Sequence, residues 1–189
     1  MGIALMTDGA YLSICWRGIA PGCQLDYVRF VERIEAELGD TIVEAYCFDA
    51  TENGISEPRF RAMEHAGIRV KLYSYSYESL YDKLGKPLID PSTGTPATRR
   101  IQKGVDVGLA MHMIASYQRC KWNKLALVAS DADFAEPVHR LVENYNVELT
   151  TVGIPGRTSH SLVPYASRRL DLRVLAPSIT RPVINLRAC

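Results

Sequence analysis

A chain of 189 residues that is 47% hydrophobic and 23% charged has enough apolar material for one domain with a full core. Its net charge of +1 excludes a globally basic nucleic-acid binder, so attraction for phosphate must come from local clusters. No apolar run approaches the ~20 residues that span a bilayer, and the opening MGIALMTDGAY meets Asp8 before a signal-like core forms, so a cytoplasmic protein is expected.

Gly2 to Thr7 is a continuous apolar stretch closed by Asp8-Gly9, the pattern of a buried strand ending in a turn. After a loop containing Pro21-Gly22, Tyr27, Phe30, Val31, Ile34 and Leu38 recur at helical spacing, and Gly39 stops the helix. Thr41 to Phe48 is strand-like and ends at Asp49; Pro58 to Ala66 reads as a helix stopped by Gly67, and Ile68 to Ser74 as a third strand. Two βα units in succession predict an α/β fold, a mainly parallel sheet with helices on both faces.

Tyr75 to Gln102, rich in Gly, Pro, Ser and Thr, interrupts the pattern as a long loop or short hairpin. Between residues 83 and 103 it carries Lys83, Lys86, Arg99, Arg100 and Lys103 against Asp90 alone. A largely apolar helix is predicted over Val105 to Gln118, a central strand over Leu125 to Ala129, a helix over Phe134 to Asn144 and a strand over Val147 to Gly153. Ser161 to Arg169 is expected as a last helix and Leu172 to Leu175 as an edge strand. One domain over residues 1–175 would then leave 176–189, with Pro177 and Pro182, as a C-terminal tail. Cys15, Cys23, Cys47, Cys120 and Cys189 are odd in number and lack a CxxC pair, which argues against a disulfide framework or a thiolate zinc site.

In open parallel sheets the ligand crevice lies outside the carboxyl ends of the strands. Asp8, Asp131 and Asp133 follow strands directly, and Asp106 opens a helix where its charge meets the helix dipole favourably. Each alone is explained by a cap or turn. Four at one rim repel and desolvate one another, and all-oxygen donors suit Mg²⁺ or Mn²⁺.

The segments Thr7-Asp8-Gly9, Gln102-Lys103-Gly104-Val105-Asp106-Val107 and Leu127-Val128-Ala129-Ser130-Asp131-Ala132-Asp133-Phe134 resemble, in order and spacing, the three signatures of the NYN domain, a branch of the PIN-like nucleases. The resemblance runs from Gly2 to about Leu175. It implies a three-layer α/β/α sandwich and a metal-dependent ribonuclease in which Asp8, Asp106, Asp131 and Asp133 are catalytic and bind Mg²⁺ or Mn²⁺. A family habit of self-association suggests a homo-oligomer, with a dimer as the guess, although no heptads or exposed amphipathic helix mark an interface. The chain departs from the family pattern at three places: Tyr11 replaces an Asn, His112 a carboxylate and Ser130 a Gly.

Arg99, Arg100 and Lys103 are the favoured phosphate contacts on RNA, with Ser130 and His112 as further substrate-binding candidates. On an apolar helix His112 also reads as a hydrogen-bonded core residue. Tyr73, Tyr75, Tyr77 and Tyr81 would either stack on bases or form one packed face of a strand. A phosphatase of the haloacid-dehalogenase type and a response-regulator receiver match the aspartates less well. The alternative to a nuclease is an inactive or weakly active NYN-like RNA-binding or assembly module, which Tyr11 and His112 favour.

Overall fold

The computed structural model describes residues 2–52 and 57–182. In chain order the elements are β1 (Ile3–Asp8), α1 (Gly9–Ile19), β2 (Cys23–Leu25), α2 (Tyr27–Leu38), β3 (Ile42–Thr51), α3 (Pro58–His65), β4 (Arg69–Ser79), β5 (Thr98–Gln102), α4 (Val105–Cys120), β6 (Lys124–Val128), α5 (Ala135–His139), β7 (Glu148–Gly153), β8 (Ala166–Asp171), α6 (Leu172–Ile179) and β9 (Thr180–Pro182). A 3₁₀ turn, Ala132–Phe134, precedes α5, and a π turn, Arg140–Asn144, follows it.

β1 is buried along its first five residues, so both faces must be covered, which is why its sequence is continuously apolar rather than alternating. It lies in a seven-stranded sheet of order β5-β4-β3-β1-β6-β7-β8, parallel throughout except for the β4/β5 pair. Alternation sends Ile3 and Leu5 into one apolar layer, with α1, α2, α3 and α6, and Ala4 and Met6 into the other, with α4 and α5. Phe30 and Phe60 fill the first layer; Phe48, Trp122 and Phe134 fill the second. Fully burying a side chain of this size contributes about 1.5–3 kcal/mol. The chain is thus a three-layer α/β/α sandwich.

Four local expectations change. Asp8-Gly9 is not a turn into a loop: Asp8 caps α1, its Oδ1 accepting from the Tyr11 amide at 3.0 Å, and Tyr11, Leu12, Cys15 and Trp16 are that helix's buried stripe. The stretch expected as a helix over Ser161 to Arg169 instead gives a single 3₁₀ turn, Val163–Tyr165, and β8, because pairing beside β7 satisfies its backbone. The expected edge strand at Leu172 to Leu175 is the start of α6, capped by Asp171 and burying Leu172, Leu175, Ala176 and Ile179. Of the expected tail, residues up to 182 belong to α6 and β9, which pairs antiparallel with β2; residues 183–189 lie outside the described residues.

The interruption after β4 is a hairpin. β4 and β5 pair from Tyr75↔Gln102 to Ser79↔Thr98, and bridges Tyr81↔Pro87 and Ile89↔Pro96 continue the arm. Among the described residues no helix is long and apolar enough to cross a membrane.

Candidate functional site

The chain leaves β1 toward β3 and β4 on one side and reaches β7 from β6 on the other, so the order reverses between the adjacent strands β1 and β6. A crevice opens outside their carboxyl ends at such a point. Asp8 ends β1, and Asp131 and Asp133 follow β6 after Ala129 and Ser130. Thr7 of β1 is level with Val128 of β6, which brings the two chain exits together.

Asp8 falls on the α4 face by alternation from Met6. Burial pushes its pKa up to about 6 against the backbone donors Tyr11 and Ala10, and the charges of Asp106 and Asp49 push the same way. Asp106 stands in the first turn of α4, behind the left-handed Gly104, and its pKa is raised by burial and then by the carboxylates of Asp131 and Asp133. Asp131 caps the 3₁₀ turn, its Oδ1 accepting from the Asp133 amide at 3.0 Å, and both residues are exposed. The four aspartates predicted from sequence are therefore one electrostatic group. Among the described residues no ion pair ties any of them to Lys, Arg or His.

Mutually repelling carboxylates without a basic partner suit a bound cation. The group is open rather than a finished cage: no three His, Cys, Asp or Glu among the described residues converge closely enough to form one. Mg²⁺ keeps several waters and takes one or two protein carboxylates, so half-buried Asp8 and Asp106 fit as direct donors, with exposed Asp131 and Asp133 at the outer side.

A further carboxylate was missed. Asp49, at the end of β3, is 1% exposed, and its Oδ2 lies 3.0 Å from Arg59 Nη1. A Cβ on Gly9 would sit 2.2 Å from that Oδ2, so α1 can start beside Asp49 only with glycine there. Asp49 follows an apolar strand just as Asp8 does, and that position was the signal that could have found it.

The other expected site residues separate. His112 is not with the aspartates: its ring centroid lies 4.0 Å from that of Tyr46 and 5.5 Å from that of Phe48, and burial lowers its pKa. Six residues of helix from Asp106 carry it about 9 Å along α4 and onto another face, which overturns the expectation of a shared site. Arg99 pairs with Glu78 at 2.9 Å on the outer strand β5. Arg100 pairs with Glu52 at 3.0 Å and lies 4.1 Å from the Tyr75 ring centre. Lys103 is exposed two residues ahead of α4. Ser130 is half-buried next to Asp131, and its carbonyl accepts from the Ser159 amide at 3.0 Å. Tyr73 and Tyr75 pack against the α4 layer, whereas Tyr77 and Tyr81 are exposed.

Tyr11 points away from the carboxylates. Its hydroxyl accepts a long 3.4 Å bond from the Ile154 amide beside Gly153, and burial pushes its pKa up to about 12.

The NYN domain family model matches residues 2–173. The chain belongs to the NYN domain family. A solved protein of unknown function from Vibrio parahaemolyticus has the same fold, with a TM-score of 0.62 and 24% identity over 95% of this chain and 96% of that one. No curated protein matches. NYN domains are PIN-like and generally nucleases.

Proposed function

We propose that this NYN domain is a divalent-metal-dependent ribonuclease acting at the rim formed by Asp8, Asp106, Asp131 and Asp133. The observation that supports this most is the absence, among the described residues, of any ion pair from those four carboxylates to a basic side chain. A bound Mg²⁺ or Mn²⁺ would supply a water of lowered pKa and offset charge growing on the phosphoryl oxygens. Asp8 and Asp106, held by the first turns of α1 and α4, would fix the position of the ion. Asp131 and Asp133, on a turn pinned by their own hydrogen bond, would hold and orient the water that attacks.

RNA would reach the rim past Lys103, which is exposed just ahead of α4. Incubating labelled RNA with the protein tests the reading. Cleavage with Mn²⁺ or Mg²⁺ that chelator and Asp131→Asn both abolish supports it; no cleavage with either ion opposes it. The exposure of Asp131 and Asp133 and the lack of a closed cage among the described residues favour a second reading, an RNA-binding module with weak metal affinity. That reading expects RNA binding to survive Asp131→Asn with no cleavage under any condition.

A further inference from the structure

β4 outruns the strand beside it. Its pairing with β3 ends at Thr51↔Ser74, and Tyr75 to Ser79 run on past the carboxyl edge of the sheet, where β5 pairs with them from Tyr75↔Gln102 to Ser79↔Thr98. The Leu80 amide donating to the Ala97 carbonyl, the Leu88 amide donating to the Leu80 carbonyl, and the bridges Tyr81↔Pro87 and Ile89↔Pro96 prolong this ladder into an arm. At the usual strand rise, Tyr81 stands about 20 Å beyond the level of Tyr75 and Gln102. The crevice opens at the same edge, and β5 leads back through Lys103 and Gly104 to Asp106 of the rim.

Two tyrosines on the arm keep their rings in solvent: Tyr77 is 61% exposed and Tyr81 59%. Among the described residues no ring or cation stacks on either of them. The Tyr77 hydroxyl donates to Glu52 Oε1 at 3.2 Å, which steadies that ring by its far end. Charge follows the same segment. From Tyr77 to Lys103 five basic residues face three acidic ones in a chain of net charge +1, so the rest of the molecule is net negative. Arg99 and Arg100 are engaged by Glu78 and Glu52, whereas Lys83, Lys86 and Lys103 have no ion pair among the described residues. Leu84, at the tip, is 83% exposed but lies between the two free lysines, so a polyanion suits the arm better than an apolar partner.

We infer that the β4–β5 arm is a single-strand binding platform, on which Tyr77 and Tyr81 stack unpaired bases and Lys83 and Lys86 hold the phosphates between them and the rim. The two rings are four residues apart on an extended chain, about 13 Å, and so serve separate bases. A duplex stacks its bases on one another and offers no free faces, so the arm selects single strands. Stacking and phosphate attraction read neither base identity nor sugar. That the strand is RNA rests on the ribonuclease reading; that the arm binds a single strand does not.

Fluorescence anisotropy of a short labelled RNA, single-stranded or annealed to its complement, isolates binding from metal and cleavage when chelator is present. The native protein is expected to prefer the single strand by roughly tenfold or more. Tyr77→Ala and Tyr81→Ala should each weaken single-strand binding by roughly 5- to 100-fold, whereas Tyr77→Phe and Tyr81→Phe, which keep the ring, should bind as the native chain does. Replacing Lys83 and Lys86 together by Gln should lower the slope of log affinity against log salt by about 1.4. Circular dichroism confirms that each variant is folded. Native affinity in the folded alanine variants, equal affinity for strand and duplex, or an arm that joins two copies in sedimentation and binds no RNA overturns the inference, even if RNA is cleaved. Arm-dependent binding by a protein that cleaves nothing upholds it while the nuclease reading fails.

Discussion

Asp8 and Asp106 repel one another across the mouth between β1 and α4, each raised in pKa by burial and by neighbouring carboxylates, with no basic residue paired to either among the described residues. By contrast Asp49, on the far side of the first turn of α1, has Arg59 against it at 3.0 Å. Neighbouring carboxylates thus receive opposite treatment, and the untreated ones are those at the crevice.

Asp8→Asn should separate stability from function. Asn caps a helix as well as Asp, so α1 keeps its start, while repulsion and desolvation at the rim are relieved. The metal-free variant is expected to melt on the order of 3 °C higher at pH 7.5 and to lose any stabilisation by Mn²⁺, as read by differential scanning calorimetry with and without the ion. A lower metal-free melting temperature, or an unchanged response to Mn²⁺, would count against the rim as the ion's site.

The same group sets a pH dependence. Asp8 titrates near 6 in the folded chain against 3.8 as a free group, so between those values the native state binds more protons than the unfolded one. Its contribution to stability is present below about pH 4 and is lost as pH rises through 6. Bound metal reverses the trend, since it requires the ionised form. Denaturant midpoints without metal should fall through that window, and the gain from Mn²⁺ should grow through it; Asp8→Asn should flatten both.

Much of this was legible because parallel strands buried on both faces announce themselves: Ile3 to Thr7 and Leu125 to Val128 are unbroken apolar runs, and the residues that follow them are the crevice residues. α1 was not, because Asp8-Gly9 carries the signature of a turn as well as of a cap and a first helical residue, and it is the packing of Tyr11, Leu12, Cys15 and Trp16 as one buried stripe that decides between them. β8 and α6 exchanged their expected forms for a similar reason. Ala166 to Asp171 has no strand signal of its own and becomes one by lying beside β7, and Pro177 is carried within α6. His112 was misplaced because sequence gives its distance along α4 but not the tilted ring contact it makes with Tyr46.

Arg59→Ala removes the cation from a buried carboxylate and the donor from Ser13. Urea unfolding is expected to show a loss of about 2 kcal/mol. Asp49→Asn in the same background should recover part of it, since the unpaired charge is then gone; no recovery would mean that Arg59 acts through packing on Phe60 alone.

Tyr11 fills the space above Gly153, where an added Cβ would lie 2.2 Å from its hydroxyl. Gly153→Ala should destabilise by about 1–3 kcal/mol through overpacking. Tyr11→Phe removes the atom most in conflict, so the double variant should lose less than the sum of the singles. Strict additivity in the cycle would show that the alanine is accommodated elsewhere.

The most direct test of the account is calorimetric titration of Mn²⁺ into the native protein and into Asp8→Asn and Asp131→Asn, paired with an assay of RNA cleavage on the same samples. The account predicts saturable binding and metal-dependent cleavage by the native chain, with both reduced at least tenfold in each folded variant. Native-like Mn²⁺ binding in both variants, or no binding by the native chain, would contradict it.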